Sequence, residues 1–172
     1  MRALVVYESM FGNTQAIAES IAKGLAESMD VEILEVSSAP SVIADIELLV
    51  VGGPTHQFGM SRPQSREAAF KETDKALVSE SIGIREWIKA VRIDVPALAC
   101  STFDTKVEKP PLPGAASKKA EKKLRKKGVR IVLEAETFDV DGMTGPLIDG
   151  ELERAHVWGE TLASAAAVPT GA

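Results

Sequence analysis

The sequence predicts an α/β fold: a three-layer, doubly wound domain built on a five-stranded parallel sheet of order 2-1-3-4-5. Strand-like and helix-like segments alternate along the chain, which is typical of a parallel sheet with helices on both faces. Three of the strand-like segments are almost wholly apolar, as expected of central strands that are covered on both sides. These central segments are residues 3–7, 48–51 and 95–100.

Two further segments complete the predicted sheet. Residues 31–36 and 130–136 have strand-like composition but carry charged side chains, so we place them at the two edges. Parallel strands joined by right-handed crossovers then give the order 2-1-3-4-5.

Helical periodicity predicts the elements that cover the sheet. The helices are expected at residues 14–26, at 63–91 as two helices with a break near 79–83, at 115–127 before Gly128, and at 150–166. At 172 residues the chain suits one domain, which we place at 1–167, followed by a flexible C-terminal tail at 168–172.

Composition limits the possible functions. The net charge of −5 and the pI of 5.2 argue against a general nucleic-acid or anionic-membrane binder. The single cysteine, Cys100, excludes an internal disulfide and suits a reducing compartment. No apolar run approaches the roughly 20 residues of a membrane span. We therefore expect a cytoplasmic protein that binds neither nucleic acid nor membrane.

A hydroxyl-rich turn lies between the first strand and the first helix. The first N–H groups of a helix lack intrahelical partners and attract an anion, and Ser9, Asn13 and Thr14 can add donors. Gly12 lets the backbone fold closely around the anion, and no lysine or arginine is present, unlike in G-x-x-x-x-G-K-[ST] loops. The turn therefore predicts a phosphate site. The alternative is a helix capped by Asn13 or Thr14 with no ligand.

This turn resembles the Ser/Thr-x-x-Gly-Asn-Thr phosphate turn of the flavodoxin family, and a second stretch resembles that family's Gly-x-Pro-Thr-(aromatic)-x-x-Gly loop. The resemblance implies an FMN site, and His56 stands where the family often has tryptophan or tyrosine. A histidine at this position could titrate near neutral pH, although a lone loop histidine is more often an ordinary polar residue. The residues implied are Ser9, Met10, Phe11, Gly12, Asn13 and Thr14 for the phosphate, and Pro54, Thr55, His56, Gln57, Phe58 and Gly59 for the ring.

The loop expected after the fourth strand would complete the flavin site. It contributes Ser101, Thr102, Phe103 and Asp104, with Phe103 as its only ring and without the glycine that is typical of the family. No residue of the chain is predicted to be catalytic or to bind a metal.

The resemblance implies an FMN-binding electron carrier that acts between redox partner proteins, a reductase as donor and an unknown acceptor. We expect a monomer or a weak homodimer. An NAD(P)H-dependent FMN or quinone oxidoreductase of the same fold is the first alternative, and a flavin-free interaction domain is the second. The lysine-rich segment 118–127 is interpreted as a solvated helix face, with docking of an acidic partner as the alternative.

Overall fold

The computed structural model describes residues 1–111 and 113–168. Its main strands are β1 (Arg2–Tyr7), β2 (Asp30–Glu35), β3 (Leu48–His56), β4 (Ala99–Val107) and β5 (Glu136–Val140). They form one parallel sheet in the order β2-β1-β3-β4-β5, which confirms the predicted topology. The predicted fifth strand is interrupted, because Arg130–Ile131 pairs with the start of β4 and β5 pairs with its end.

Strand β4 runs seven residues past its predicted end at Cys100. It stays in parallel register with β3 from Ala99, opposite Leu48, to Thr105, opposite Pro54. Threonine and phenylalanine suit a pleated surface, so the polar composition of this segment did not end the strand. The residues expected in a loop at 101–104 therefore lie inside the sheet.

Five α-helices lie among the described residues. They are α1 (Asn13–Ala26), α2 (Pro63–Lys71), α3 (Ile84–Ala90), α4 (Ala116–Arg125) and α5 (Glu151–Ala167). Helices α1 and α5 bury apolar side chains against one face of the sheet, and α3 and α4 against the other. None of the described helices is both long and apolar enough to cross a membrane. Of the predicted tail, residues 169–172 lie outside the described residues.

Helices α1 and α5 touch through their backbones. A Cβ atom on Gly24 would overlap the carbonyl oxygen of His156, and one on Gly159 would overlap that of Ile21. The two glycines therefore permit a closer approach of the helix axes than side chains would allow. This contact fixes α1, and with it the turn that precedes α1.

Candidate functional site

A cavity of about 600 Å³ opens at the carboxyl ends of β1, β3 and β4. Open α/β sheets place ligands at this edge, where the strand order reverses. The structure brings most of the predicted site residues together there. Those that line the cavity are Ser9, Met10, Phe11, Asn13, Thr14, Pro54, Thr55, His56, Gln57, Phe58 and Gly59.

The N-terminus of α1 faces this cavity without a side-chain cap. Gly12 is the N-cap residue, in the left-handed conformation with φ +94° and ψ −7°, so the alternative of a cap by Asn13 or Thr14 is wrong. Among the described residues, the backbone N–H groups of Asn13, Thr14 and Gln15 have no acceptor. They are the orphan donors that every helix start exposes.

The side chains of the turn are largely engaged within the protein. The Gly12 N–H donates to Ser9 Oγ at 3.1 Å, which leaves the Ser9 hydroxyl proton available. The Asn13 amide donates to the Thr144 carbonyl at 3.1 Å, and the hydroxyls of Thr14 and Thr105 lie 2.7 Å apart. The free donors of the turn are therefore mainly backbone amides. The sequence had suggested a larger contribution from the side chains.

Helices α1 and α5 differ in the charges of their first turns. The N-cap of α5, Gly150, has nearly the same conformation as Gly12, with φ +89° and ψ −11°. Glu151 and Glu153 lie in the first turn of α5, whereas the first turn of α1 has no acidic residue. Because a helix N-terminus carries partial positive charge, α5 supplies its own compensating anions and α1 does not. The start of α1 thus suits an external anion such as a phosphate.

A hairpin forms the opposite wall of the cavity. The end of β3 pairs antiparallel with the short strand Gly59–Met60, and Gln57 and Phe58 make the turn. Gln57 has φ +50°, and Phe58, at the tip, is 55% exposed. The Lys119 stem packs over Gly59, where a Cβ atom would come within 2.6 Å of Lys119 Cδ.

His56 is neutral at physiological pH. Its Nδ1 lies 3.0 Å from Ser65 Oγ, and burial together with the positive charge of Arg66 lowers its pKa to about 4. The lowered pKa argues against the possibility that His56 titrates near neutrality, because desolvation of the ring disfavours the charged form.

The predicted third loop, Ser101, Thr102, Phe103 and Asp104, is part of β4, and that prediction is corrected. All four side chains are fully buried and none lines the cavity. Phe103 packs edge-to-face against Phe138 and Trp158, with ring centroids 6.4 Å away in both cases. It also fills the space above Gly52, so it belongs to the core and cannot stack on a ligand in the cavity.

The buried polar groups of this segment satisfy backbone groups of neighbouring elements. The Ser101 hydroxyl donates to the Leu133 carbonyl, and the Thr102 hydroxyl donates to the Ser117 carbonyl. Asp104 Oδ2 accepts from the Ser117 N–H at 2.9 Å and from the Thr55 hydroxyl at 3.0 Å. Asp104 therefore positions the base of the hairpin against the start of α4.

Several residues that the sequence reasoning missed also line the cavity. Thr105, Lys106 and Val107 take the place expected of the third loop, because β4 is longer than predicted. Arg85 donates to the Met60 and Ser61 carbonyls, which holds its guanidinium at the cavity wall. No motif pointed to these residues, although a strand prediction extended to Val107 would have found the first three. The others are Met60, Arg62, Gln64, Ser65, Ala68, Ala69, Glu72, Lys119 and Val140. Met143, which the sequence places in the loop after the fifth strand, near the ring end of the site, also lines the cavity.

Behind the cavity lies a buried ionisable network. Glu8 is fully buried, accepts hydrogen bonds from the Ser61 hydroxyl, and has its Oε1 3.8 Å from Arg66 Nη1. Arg66 also pairs with Glu86. Burial outweighs these favourable contacts and raises the pKa of Glu8 to about 7. The network joins β1 to the hairpin, α2 and α3.

Solved structures share this fold. A flavodoxin from the domain Archaea has 20% identity and a TM-score of 0.64, with 96% of this chain and 99% of that chain covered. Oxidised flavodoxin 1 from Bacillus cereus has 18% identity and a TM-score of 0.67, with 95% and 98% covered. The Flv1 flavodiiron core from Synechocystis sp. PCC6803 has 16% identity and a TM-score of 0.64, with 96% of this chain and 36% of that chain covered.

The sequence comparisons identify the family. A search of curated protein sequences gives no match. The family profile described as Flavodoxin matches residues 5–158, which include the turn, the hairpin, the second half of β1 and all of β2 to β5. The chain therefore belongs to the flavodoxin family.

Proposed function

We propose that the chain binds FMN in the cavity and carries electrons between redox partner proteins. The observation that supports this most directly is the N-terminus of α1, which faces the cavity with free amide donors and no acidic residue in its first turn. A phosphate monoester carries the charge that such a helix start favours.

The residues present fit the two ends of FMN. Amides of the turn and the Ser9 hydroxyl would hold the phosphate, and the hairpin would hold the ring between polar and apolar side chains. Charge-assisted hydrogen bonds of about 1.5–3 kcal/mol each make micromolar or tighter binding reasonable, about −8 kcal/mol. When bound, the flavin supplies the redox chemistry, and the chain orients it and shields part of it from water.

The test is a titration of the protein with FMN, followed by quenching of flavin fluorescence. Gly12→Ala places a side chain at a left-handed position in the turn, and we expect at least about tenfold weaker binding, equivalent to about 1.4 kcal/mol. Gly150→Ala is the matched control, because Gly150 is also a left-handed N-cap with open space around its Cβ position. It should keep the affinity within about twofold.

Equal losses in both variants would place the phosphate elsewhere, and no binding by the wild-type protein would favour a flavin-free interaction domain. The FMN-loaded protein should not consume NADPH steadily with a quinone acceptor. Steady consumption would favour the oxidoreductase alternative.

A further inference from the structure

We propose that the cavity opens onto a basic docking face, opposite in sign to this chain's own net charge, and that its partner is an acidic protein. This inference rests on the proposed function, since it names the kind of partner that would exchange electrons at the cavity. The basic face consists of Arg62, Lys106, Lys118, Lys119, Lys122 and Lys123.

The charge of the chain is unevenly distributed. Residues 118–127 hold seven basic residues and one acidic residue, although the whole chain has a net charge of −5. The remainder of the chain therefore carries −11. Such a concentration of cations on an acidic protein creates a local positive potential that can steer an acidic partner.

Helix stability does not explain the lysines at the start of α4. The helix begins at Ala116, so Lys118 and Lys119 lie in or next to its first turn, which has no acidic residue. Cations near a helix N-terminus oppose the macrodipole, by about 0.3–1 kcal/mol each. Lys118 and Lys119 are also four residues from Lys122 and Lys123, and like charges at this spacing repel. An external anion would relieve both effects.

The face is continuous with the cavity. Arg62, Lys106 and Lys119 line the cavity, and Lys106 and Lys118 line an adjoining depression. Lys122 and Lys123 extend the face along the exposed side of α4. Among the described residues, no carboxylate forms an ion pair with any member of the basic face, whereas Arg66, Arg125 and Arg154 all have one.

An acidic protein fits this face better than an extended polyanion. Screening limits charge interactions to about 10 Å at 0.1 M salt. A compact partner over the cavity therefore meets the six cations of the basic face against three carboxylates, Glu72, Glu108 and Asp139, that line the cavity and the depression. A membrane or a nucleic acid would extend past it and meet the remaining charge of −11.

The test measures binding of an acidic plant-type [2Fe–2S] ferredoxin to the immobilised protein, with and without FMN, at about 20 mM and about 200 mM NaCl. A basic cytochrome c and vesicles with about one third phosphatidylserine serve as comparison probes. The variant Lys122→Glu/Lys123→Glu changes the face outside the cavity. Lys23→Glu/Lys75→Glu makes the same charge change at exposed lysines outside the face.

We expect the ferredoxin to bind, to bind at least about tenfold more weakly at the higher salt, and to lose at least about tenfold in affinity with Lys122→Glu/Lys123→Glu. The affinity of the control variant for the ferredoxin should stay within about threefold of the wild-type affinity. Equal losses in both variants, preference for cytochrome c, or vesicle binding that exceeds ferredoxin binding would each overturn the proposal. Since docking is measured with and without FMN, failure to bind FMN would reject the proposed function separately.

Discussion

Glu8 is fully buried at the carboxyl end of β1, where its charge is compensated only in part. Arg66, the nearest cation, also pairs with Glu86, and Ser61 donates a hydrogen bond to the carboxylate. Burial dominates and raises the pKa of Glu8 from 4.5 to about 7, so the folded protein favours the protonated carboxyl. Folding then depends on pH through a residue that does not line the cavity.

The substitution Glu8→Gln should remove this pH dependence. The stabilising contribution of protonated Glu8 is complete below pH 4.5 and is lost as the pH rises through 7. Between pH 5 and pH 8 the free energy of unfolding of the wild type should therefore fall by up to about 3 kcal/mol relative to that of Glu8→Gln. Urea unfolding of both proteins across this range measures the difference. His56, whose lowered pKa acts in the opposite direction, is common to both proteins and cancels. If the difference in free energy of unfolding between the two proteins did not change with pH, Glu8 would not be a buried carboxyl with a raised pKa.

Among the elements, the pair α1 and α5 depends on backbone contact at Gly24 and Gly159. Every side chain larger than hydrogen at either position would meet a carbonyl of the opposite helix. Because the turn at residues 9–14 lies at the other end of α1, a shift of this helix pair would also move that turn.

We expect Gly159→Ala to lower the free energy of unfolding by about 1–3 kcal/mol, because the added methyl group forces the two helices apart. Denaturant unfolding measures the loss. Val157→Ala is the control: Val157 lies on the same helix, 47% exposed, and should change stability by no more than about 0.5 kcal/mol. If both substitutions lowered the free energy of unfolding by the same small amount, α1 and α5 would not be in close backbone contact at Gly159.

Elements that depend on residues adjacent in the sequence could be predicted, and elements that depend on distant residues could not. The turn between β1 and α1 could be predicted because an apolar strand, Gly12 and a helical period follow one another directly in the sequence. The end of β4 could not, because the Ser101 and Thr102 hydroxyls are satisfied by distant groups, the Leu133 and Ser117 carbonyls. A polar segment inside a sheet and a polar loop look alike until those partners are known.

For the whole molecule, the strand order followed from handedness and from charged edge strands, which are general properties of such sheets. The shape of the cavity did not follow in the same way. Arg85 reaches it through contacts with Met60 and Ser61, and Thr105 through the length of β4. These placements depend on tertiary packing, so the cations of the cavity could not be read from the turn, which has none.

Binding of FMN should be visible in the stability of the whole molecule, because a ligand that binds only the folded chain shifts the folding equilibrium. At a free FMN concentration 100 times its Kd, the free energy of unfolding should rise by about 2.7 kcal/mol. Riboflavin at the same concentration lacks the phosphate that would meet the free amides of α1, so its shift should be clearly smaller. Gly12→Ala should reduce the shift caused by FMN more than that caused by riboflavin, and Gly150→Ala should change neither. Urea unfolding with each ligand measures these shifts. If riboflavin stabilised the protein as much as FMN does, the start of α1 would not be where the phosphate binds.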